Sequence, residues 1–194
     1  MGSLSNYAEN ALVKHLATEA AYTPAATLYL ALATADPGEA ATGASMNEVA
    51  NSGSYARTAI TFGAASSRRV TQNADVTFPA ATGGGWGTVT HWAIVDSATY
   101  GAGNVLSYGA LAVSKTVVAG NTPSVASGQV YVEITASTGL SNYAANGFLD
   151  RMFRNQAFTV SATYLALWTA TLSDTSTGAT AGEVSGGSYA RKQV

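Results

Sequence analysis

The chain contains no cysteine, and that absence removes disulfide bridges, thiolate nucleophiles and cysteine-ligated zinc together. It leaves the redox compartment undetermined. Charge is also scarce: 10% of the 194 residues are Asp, Glu, Lys or Arg, and the net charge is −2. Disordered chains combine high charge with few apolar residues, so a composition that is 47% hydrophobic describes a packed fold instead. A surface this neutral suits a subunit of an assembly better than a free monomer, which charge keeps apart from its neighbours. The nine basic residues are scattered, with Arg68-Arg69 the only adjacent pair before residue 138. No basic stripe exists, so nucleic acid is not an expected partner. No run approaches the ~20 apolar residues of a spanning helix, and Met1-Gly2-Ser3-Leu4 is not a basic segment leading into an apolar one. Membrane insertion is not expected.

Groups that carry chemistry are few. His15 and His91 are the two histidines, and neither belongs to a pair with metal-ligand spacing. His15 reads as a helix-end cation and His91 as a half-buried strand residue between Thr90 and Trp92. The acids Asp36, Glu39, Asp75 and Asp96 fall in loops and turns, Glu48 precedes a strand and Glu133 alternates outward, with no calcium-loop series among them. Gly83-Gly84-Gly85-Trp86-Gly87 leads into β-branched residues rather than a helix, which makes it a turn and not a phosphate cradle. Catalytic, cofactor-binding and metal-ligating residues are all expected to be absent.

What the chain does have is repetition. Leu4-Ser5-Asn6-Tyr7-Ala8 returns as Leu140-Ser141-Asn142-Tyr143-Ala144, Tyr29-Leu30-Ala31-Leu32 as Tyr164-Leu165-Ala166-Leu167, and Glu48-Val49 as Glu183-Val184. Gly53-Ser54-Tyr55-Ala56-Arg57 returns as Gly187-Ser188-Tyr189-Ala190-Arg191. The offset of about 135 residues stays nearly constant, so a domain-sized unit has been duplicated. Residues 1–137 form a complete unit and 138–194 a partial second copy that stops at the counterpart of Ile60. The linker Ala136-Ser137-Thr138-Gly139 is short enough to hold the copies at a nearly fixed distance. A copy ending near its second strand cannot close its own sheet, so the chain is expected to continue beyond Val194 or a neighbouring subunit to supply the missing strands.

Within each unit the pattern is one helix followed by strands. Residues 5–17 carry Ala8, Leu12 and Leu16 on one face, with Asn6 as the expected cap and Glu9 completing a capping box. The copy, 141–154, keeps the stripe through Phe148, Leu149, Met152 and Phe153, and both helices are expected to dock by it. Residues 27–34 alternate as a strand, 35–54 read as a long surface loop, and further strands are expected at 55–62, 70–78, 88–95, 105–111, 116–118 and 129–135. The fold class is therefore mainly β: an antiparallel sandwich or barrel of about seven strands with one N-terminal helix, then a partial second copy.

The repeated residues read as scaffold. Asn6 and Tyr7, with Asn142 and Tyr143, are expected to fix the helix starts against the sheet. Tyr55 and Arg57, with Tyr189 and Arg191, stand two apart on one strand face, where the guanidinium can lie along the ring or share a carboxylate. Trp86 and Trp92 would make a glycan platform if their rings were exposed.

Five stretches together resemble a known family. Leu4 to Asn10, Tyr29 to Leu32, Ser54 to Ala64, Trp86 to His91 and Gly109 to Val117 are similar to the small tailed-phage virion proteins labelled tail fibre proteins. The resemblance spans the first unit and the partial second one. It implies a non-enzymatic structural protein of a bacteriophage particle, made in the host cytoplasm and located in the virion. Its expected partners are itself, as a symmetric homo-oligomer, and other virion proteins. The expected element is a tail fibre or tail tip; the alternatives are a capsid decoration protein and a carbohydrate-binding adhesin. A depolymerase would need two carboxylates facing one cleft, which the sequence does not offer.

Overall fold

Leu30 and Leu32 set the main sheet. They lie in β2 (Leu28–Ala33), which pairs on one side with β3 (Thr58–Ile60) and on the other with β6 (Gly87–Val95). The sheet continues through β7 (Val105–Val117) to β1 (Ser3–Leu4), giving five antiparallel strands in the order β1-β7-β6-β2-β3. Two short ladders lie over its inner face: β4 (Arg69–Thr71) with β9 (Tyr131–Glu133), and β5 (Val76–Thr77) with β8 (Ser124–Val125). Val70, Val76, Phe78 and Val132 from these ladders share one core with Leu30, Leu32, Trp92 and Ile94. This is the layered, mainly β class that strand alternation indicates, and the sheet does not close into a barrel. The computed structural model describes residues 2–135 and 139–194, so most of the expected linker, Ala136 to Thr138, lies outside the described residues.

Several boundaries differ from expectation for local reasons. Expected strands 105–111 and 116–118 are one strand, β7, whose register against β6 shifts between Val89↔Lys115 and His91↔Ala110, so the intervening residues bulge outward. Expected strand 70–78 is split into β4 and β5, and 55–62 shortens to β3 because Tyr55 and Arg57 turn inward to a polar cluster. The loop 35–54 is a cover rather than a free surface segment. Its Ala41 and Met46 bury with Ala31, Ala93, Val95 and Val105 on the second face of the sheet, and Val49 N–H bonds Leu32 O at 2.9 Å. Both faces of β2 are therefore buried, where simple alternation leaves one exposed.

Helix α1 (Asn6–Leu16) and helix α2 (Asn142–Arg154) form at the expected places, but their caps lie one residue earlier. Ser5 and Ser141 are the N-caps, accepting from Ala8 N–H (3.2 Å) and Ala144 N–H (3.3 Å). Asn6 and Asn142 are the first helical residues, and Glu9 closes no capping box because it lies four residues after the Ser5 cap rather than three, and the Ser5 N–H is already bonded to Leu106 O. The helices dock differently. Helix α1 buries Ala8, Leu12 and His15 and leaves Val13 exposed, whereas α2 buries Ala145, Phe148, Leu149, Met152 and Phe153. That stripe belongs to the first repeat's core: Phe153 meets the Phe62 ring edge-on at 5.3 Å, and Phe148 lies 6.1 Å from the Tyr22 ring. Each such side chain contributes roughly 1.5–3 kcal/mol of burial, an upper figure because unfolded chains already bury some surface. Helix α2 ends at Asn155, which takes the left-handed conformation of a C-terminal cap.

The rest of the second repeat is smaller. Strands β10 (Tyr164–Leu165) and β11 (Lys192–Gln193) pair in the register of β2 with β3: Tyr164↔Gln193 and Leu165↔Lys192 stand where Tyr29↔Ala59 and Leu30↔Thr58 do. The bridge Trp168↔Glu183 likewise repeats Ala33↔Glu48.

Candidate functional site

The repeated residues converge on one polar cluster per copy. In the first, Glu48 Oε1 accepts from Tyr55 Oη (2.9 Å) and Arg57 Nε (2.8 Å), while Oε2 accepts from an Arg57 terminal nitrogen (2.8 Å). Tyr55 Oη also accepts from Leu32 N–H at 3.0 Å, which ties the cluster to β2. The other contacts of Arg57 are backbone carbonyls of Gly43, Ser97 and Ala102, so its fork joins the covering loop to the turn between β6 and β7. The ring and the guanidinium are joined through the shared carboxylate, the second of the two arrangements the spacing allows. Both ionic side chains are almost fully buried, at 1% and 4% exposure. Burial, and next the Glu48 charge, pushes the Tyr55 phenol well above its ordinary range.

The second copy repeats this geometry in the open. Glu183 Oε1 accepts from Tyr189 Oη (2.9 Å) and Arg191 Nε (2.7 Å), Arg191 bonds Gly178 O, and Leu167 N–H donates to Tyr189 Oη at 3.0 Å. Here Arg191 is 43% exposed. Hydrogen bonds from Arg191 first, and from Tyr189, lower the Glu183 pKa to about 2. Because the folded value is depressed, the cluster's contribution is complete above the ordinary carboxylate range and is lost as pH falls from about 4.5 towards 2. Carboxyl NMR titration of Glu183 is expected to show that low midpoint, and Arg191→Gln to return it to the ordinary range. An unchanged midpoint would refute the assigned cause.

The helix-start residues do less than their repetition suggests. Asn6 N–H bonds Glu39 O (2.9 Å) and Asn142 N–H bonds the equivalent Asp174 O (2.7 Å), so each helix start is pinned to the loop of its own copy. Tyr7 and Tyr143 are 39% and 75% exposed, and Tyr143 meets the Phe158 ring edge-on. The condition for a glycan platform is not met at Trp86 or Trp92, which are 6% and 4% exposed. Trp86 Nε1 donates to Gly53 O at 2.8 Å, and its ring packs edge-on with Tyr55 and Phe78. The adjoining glycine cluster is a turn, with Gly83, Gly85 and Gly87 all at positive φ.

A seam between the repeats, which sequence reasoning missed, is the other concentrated feature. His15 and Arg151 occupy the same position in the two helices and grip opposite ends of one residue. His15 Nδ1 accepts from Tyr22 N–H (3.2 Å), and Arg151 donates to Tyr22 O (3.1 and 3.2 Å). His15 Nε2 then donates to Phe158 O at 2.7 Å, the tautomer that the Tyr22 bond requires. His15 is thus a buried connector at the end of α1. Gly147 replaces the Ala11 of the first helix because a Cβ there would come within 2.4 Å of the Phe158 ring.

On the neighbouring face of α2, a tight turn places Ser67 and Arg68 at positive φ. Asn146 Oδ1 accepts the Arg68 N–H (2.7 Å) and Asp150 Oδ1 the Ala65 N–H (2.8 Å), which offsets that backbone cost. The buried Arg68 side chain donates to Ile134 O and Leu140 O and pairs with Asp174 at 3.2 Å, bridging both copies. Arg69 pairs with Glu133 and lies 4.2 Å over the Tyr131 ring, and Arg154 pairs with Asp150. All six arginines are therefore bound to carbonyls or carboxylates within the chain. The burial of Arg68, 5% exposed, is set by tertiary packing, and the adjacent pair Arg68-Arg69 does not announce it in the sequence.

Among the described residues no group of three His, Asp or Glu side chains could hold a metal ion, and no helix is long and apolar enough to cross a membrane. His91 is half-buried and its Nδ1 lies 2.8 Å from Thr90 Oγ1. A search of curated proteins finds no significant match to the chain. The sequence model of one protein family, described as podophage GP4 fiber I protein gp80, matches residues 3–133 and again 139–194, the same two copies that the repeated clusters define. The chain therefore belongs to the podophage GP4 fiber I protein gp80 family, and its role is that of a bacteriophage structural protein of the fibre type.

Proposed function

We propose that this chain is a non-enzymatic element of a phage tail fibre or tail tip, assembling with itself and with other virion proteins. Residues 1–137 make one unit, and 138–194 begin a second whose helix is shared with the first. The observation that carries this reading is the seam: α2 of the second copy fills the core of the first, and His15, Arg68 and Arg151 lock the two together. Units joined that firmly extend a shaft in a fixed direction, which is what a projection needs. The neutral surface and the polar clusters saturated by internal bonds fit a scaffold rather than a catalyst.

Quantitative mass spectrometry of purified particles, together with antibody labelling, tests the position. A tail element is expected in roughly a few to a few tens of copies, set by the symmetry of a tail, with label at the tail. Hundreds of copies and label over the head would replace the tail reading by capsid decoration. Synthesis in the host cytoplasm follows from the same reading.

A further inference from the structure

Strand β7 breaks its own ladder to open a slot in the first unit. Between the pairs Val89↔Lys115 and His91↔Ala110, the four β7 residues Leu111 to Ser114 stand opposite the single residue Thr90. Such bulges commonly re-aim side chains beside a site. This one carries the apolar run Ala110-Leu111-Ala112-Val113, with Val113 65% exposed, although a segment serving only as surface would be polar. Leu111 and Val113 line one side of a cavity of about 380 Å³, Val125 of β8 lines the other, and the cavity closes on the buried Leu32 and Phe78. Leu111, Ala112 and Val125 also line an adjoining cavity of about 320 Å³ that reaches Trp92. Together they form an apolar slot between the two layers, in the size range of small-molecule sites.

One charge marks the first cavity. Lys115 is the charged residue among those lining it, beside the polar side chains of Ser124 and Gln129. It stands opposite the buried Val89 and two residues before the buried Val117, so strand alternation turns it to the inner face of β7. A lysine is rare on such a face. The residue as a whole is exposed, which puts its ammonium group at the mouth of the slot, within reach of water. Among the described residues it forms no ion pair.

We infer that this slot binds a single-chain amphipathic carboxylate, with the alkyl chain between the layers and the carboxylate on Lys115. The ammonium group selects an anionic head through a charge-assisted hydrogen bond, and the apolar walls select the chain. An alkyl chain carries no polar group into the slot. A peptide threaded there would bury amide groups among side chains of which only Ser124, Gln129 and Lys115 could pair with them in the first cavity. A second copy of this chain, docked slot to slot about a two-fold axis, would bring two Lys115 cations to one interface.

The probe is ω-bromodecanoate, titrated into the full chain while tryptophan fluorescence is followed. Bromine at the far end of the chain is expected to quench saturably, and Trp92→Phe to remove the quenching. Lys115→Glu, at an exposed position, should weaken binding at least about tenfold, the scale of one lost hydrogen bond to a charged group. The alcohol ω-bromodecanol should bind the wild-type chain and Lys115→Glu equally. Val113→Glu, also at an exposed position, should weaken both probes by placing a charge on the apolar wall. Absence of saturable quenching, quenching that survives Trp92→Phe, or carboxylate binding indifferent to Lys115→Glu overturns the inference. So does self-association in sedimentation, or pelleting with phosphatidylglycerol vesicles, that Val113→Glu abolishes, since a second copy or a bilayer would then own the slot. These measurements use the isolated chain, so their outcome is independent of where it sits in a particle.

Discussion

Arg57→Ala is expected to destabilise the fold by about 3–5 kcal/mol, the range found when one partner of a buried ion pair is removed. Glu48 would be left at 4% exposure with only Tyr55 as a donor from the cluster, and the carbonyls of Gly43, Ser97 and Ala102 would lose theirs. For a chain of this size such a loss lowers Tm by roughly 10 °C or more. The chain carries its own control. Arg191→Ala removes an arginine with the same carboxylate and tyrosine partners, but in water's reach, and is expected to leave Tm nearly unchanged. Differential scanning calorimetry of the two variants measures the contrast. Equal shifts would mean that burial is not what makes the first cluster costly to break. Joint replacement by Glu48→Gln and Arg57→Met should recover much of the loss, because no bare charge then remains inside.

Phe148→Ala should be nearly as severe, at about 3–5 kcal/mol, and it should act on the first repeat although the residue belongs to the second. Phe148 is fully buried in the core that also holds Leu30, Val70 and Trp92. The truncation leaves a cavity beneath the Tyr22 ring, 6.1 Å away. Denaturation followed by tryptophan fluorescence, dominated by the buried Trp86 and Trp92, is therefore expected to shift as one cooperative transition with the helical signal. Two separate transitions, with the tryptophan midpoint unmoved, would show that α2 is dispensable to the first sheet.

The fold class was legible because its signals are local. Period-two alternation in 27–34 located β2, the β-branched and aromatic run 88–95 located β6, and the apolar stripe Phe148, Leu149, Met152, Phe153 located α2. Less legible was what each element packs against. Leu149 and Phe153 replace Val13 and Ala17 of the first helix, which widens the buried face, but only the three-dimensional arrangement shows that this face meets the first repeat. The Tyr-Arg pairs and Glu48 could each be found by repetition, but that Glu48 is the carboxylate the pair shares is set by how the covering loop folds. His15 was misread because a helix-end histidine ordinarily meets solvent, and its partners Tyr22 and Phe158 are set by tertiary packing. The two indoles could not be placed from sequence because tryptophan serves cores and binding surfaces alike.

The engagement of all six arginines with internal acceptors has an outward consequence. Among the described residues the arginines are thus taken up inside, and the other cationic side chains, Lys14, Lys115 and Lys192, are far apart in the sequence. Contacts made by such a surface depend on shape, hydroxyl groups and strand edges, none of which a counterion atmosphere can weaken. An assembly built from it should hold together in fresh water and in concentrated brine alike.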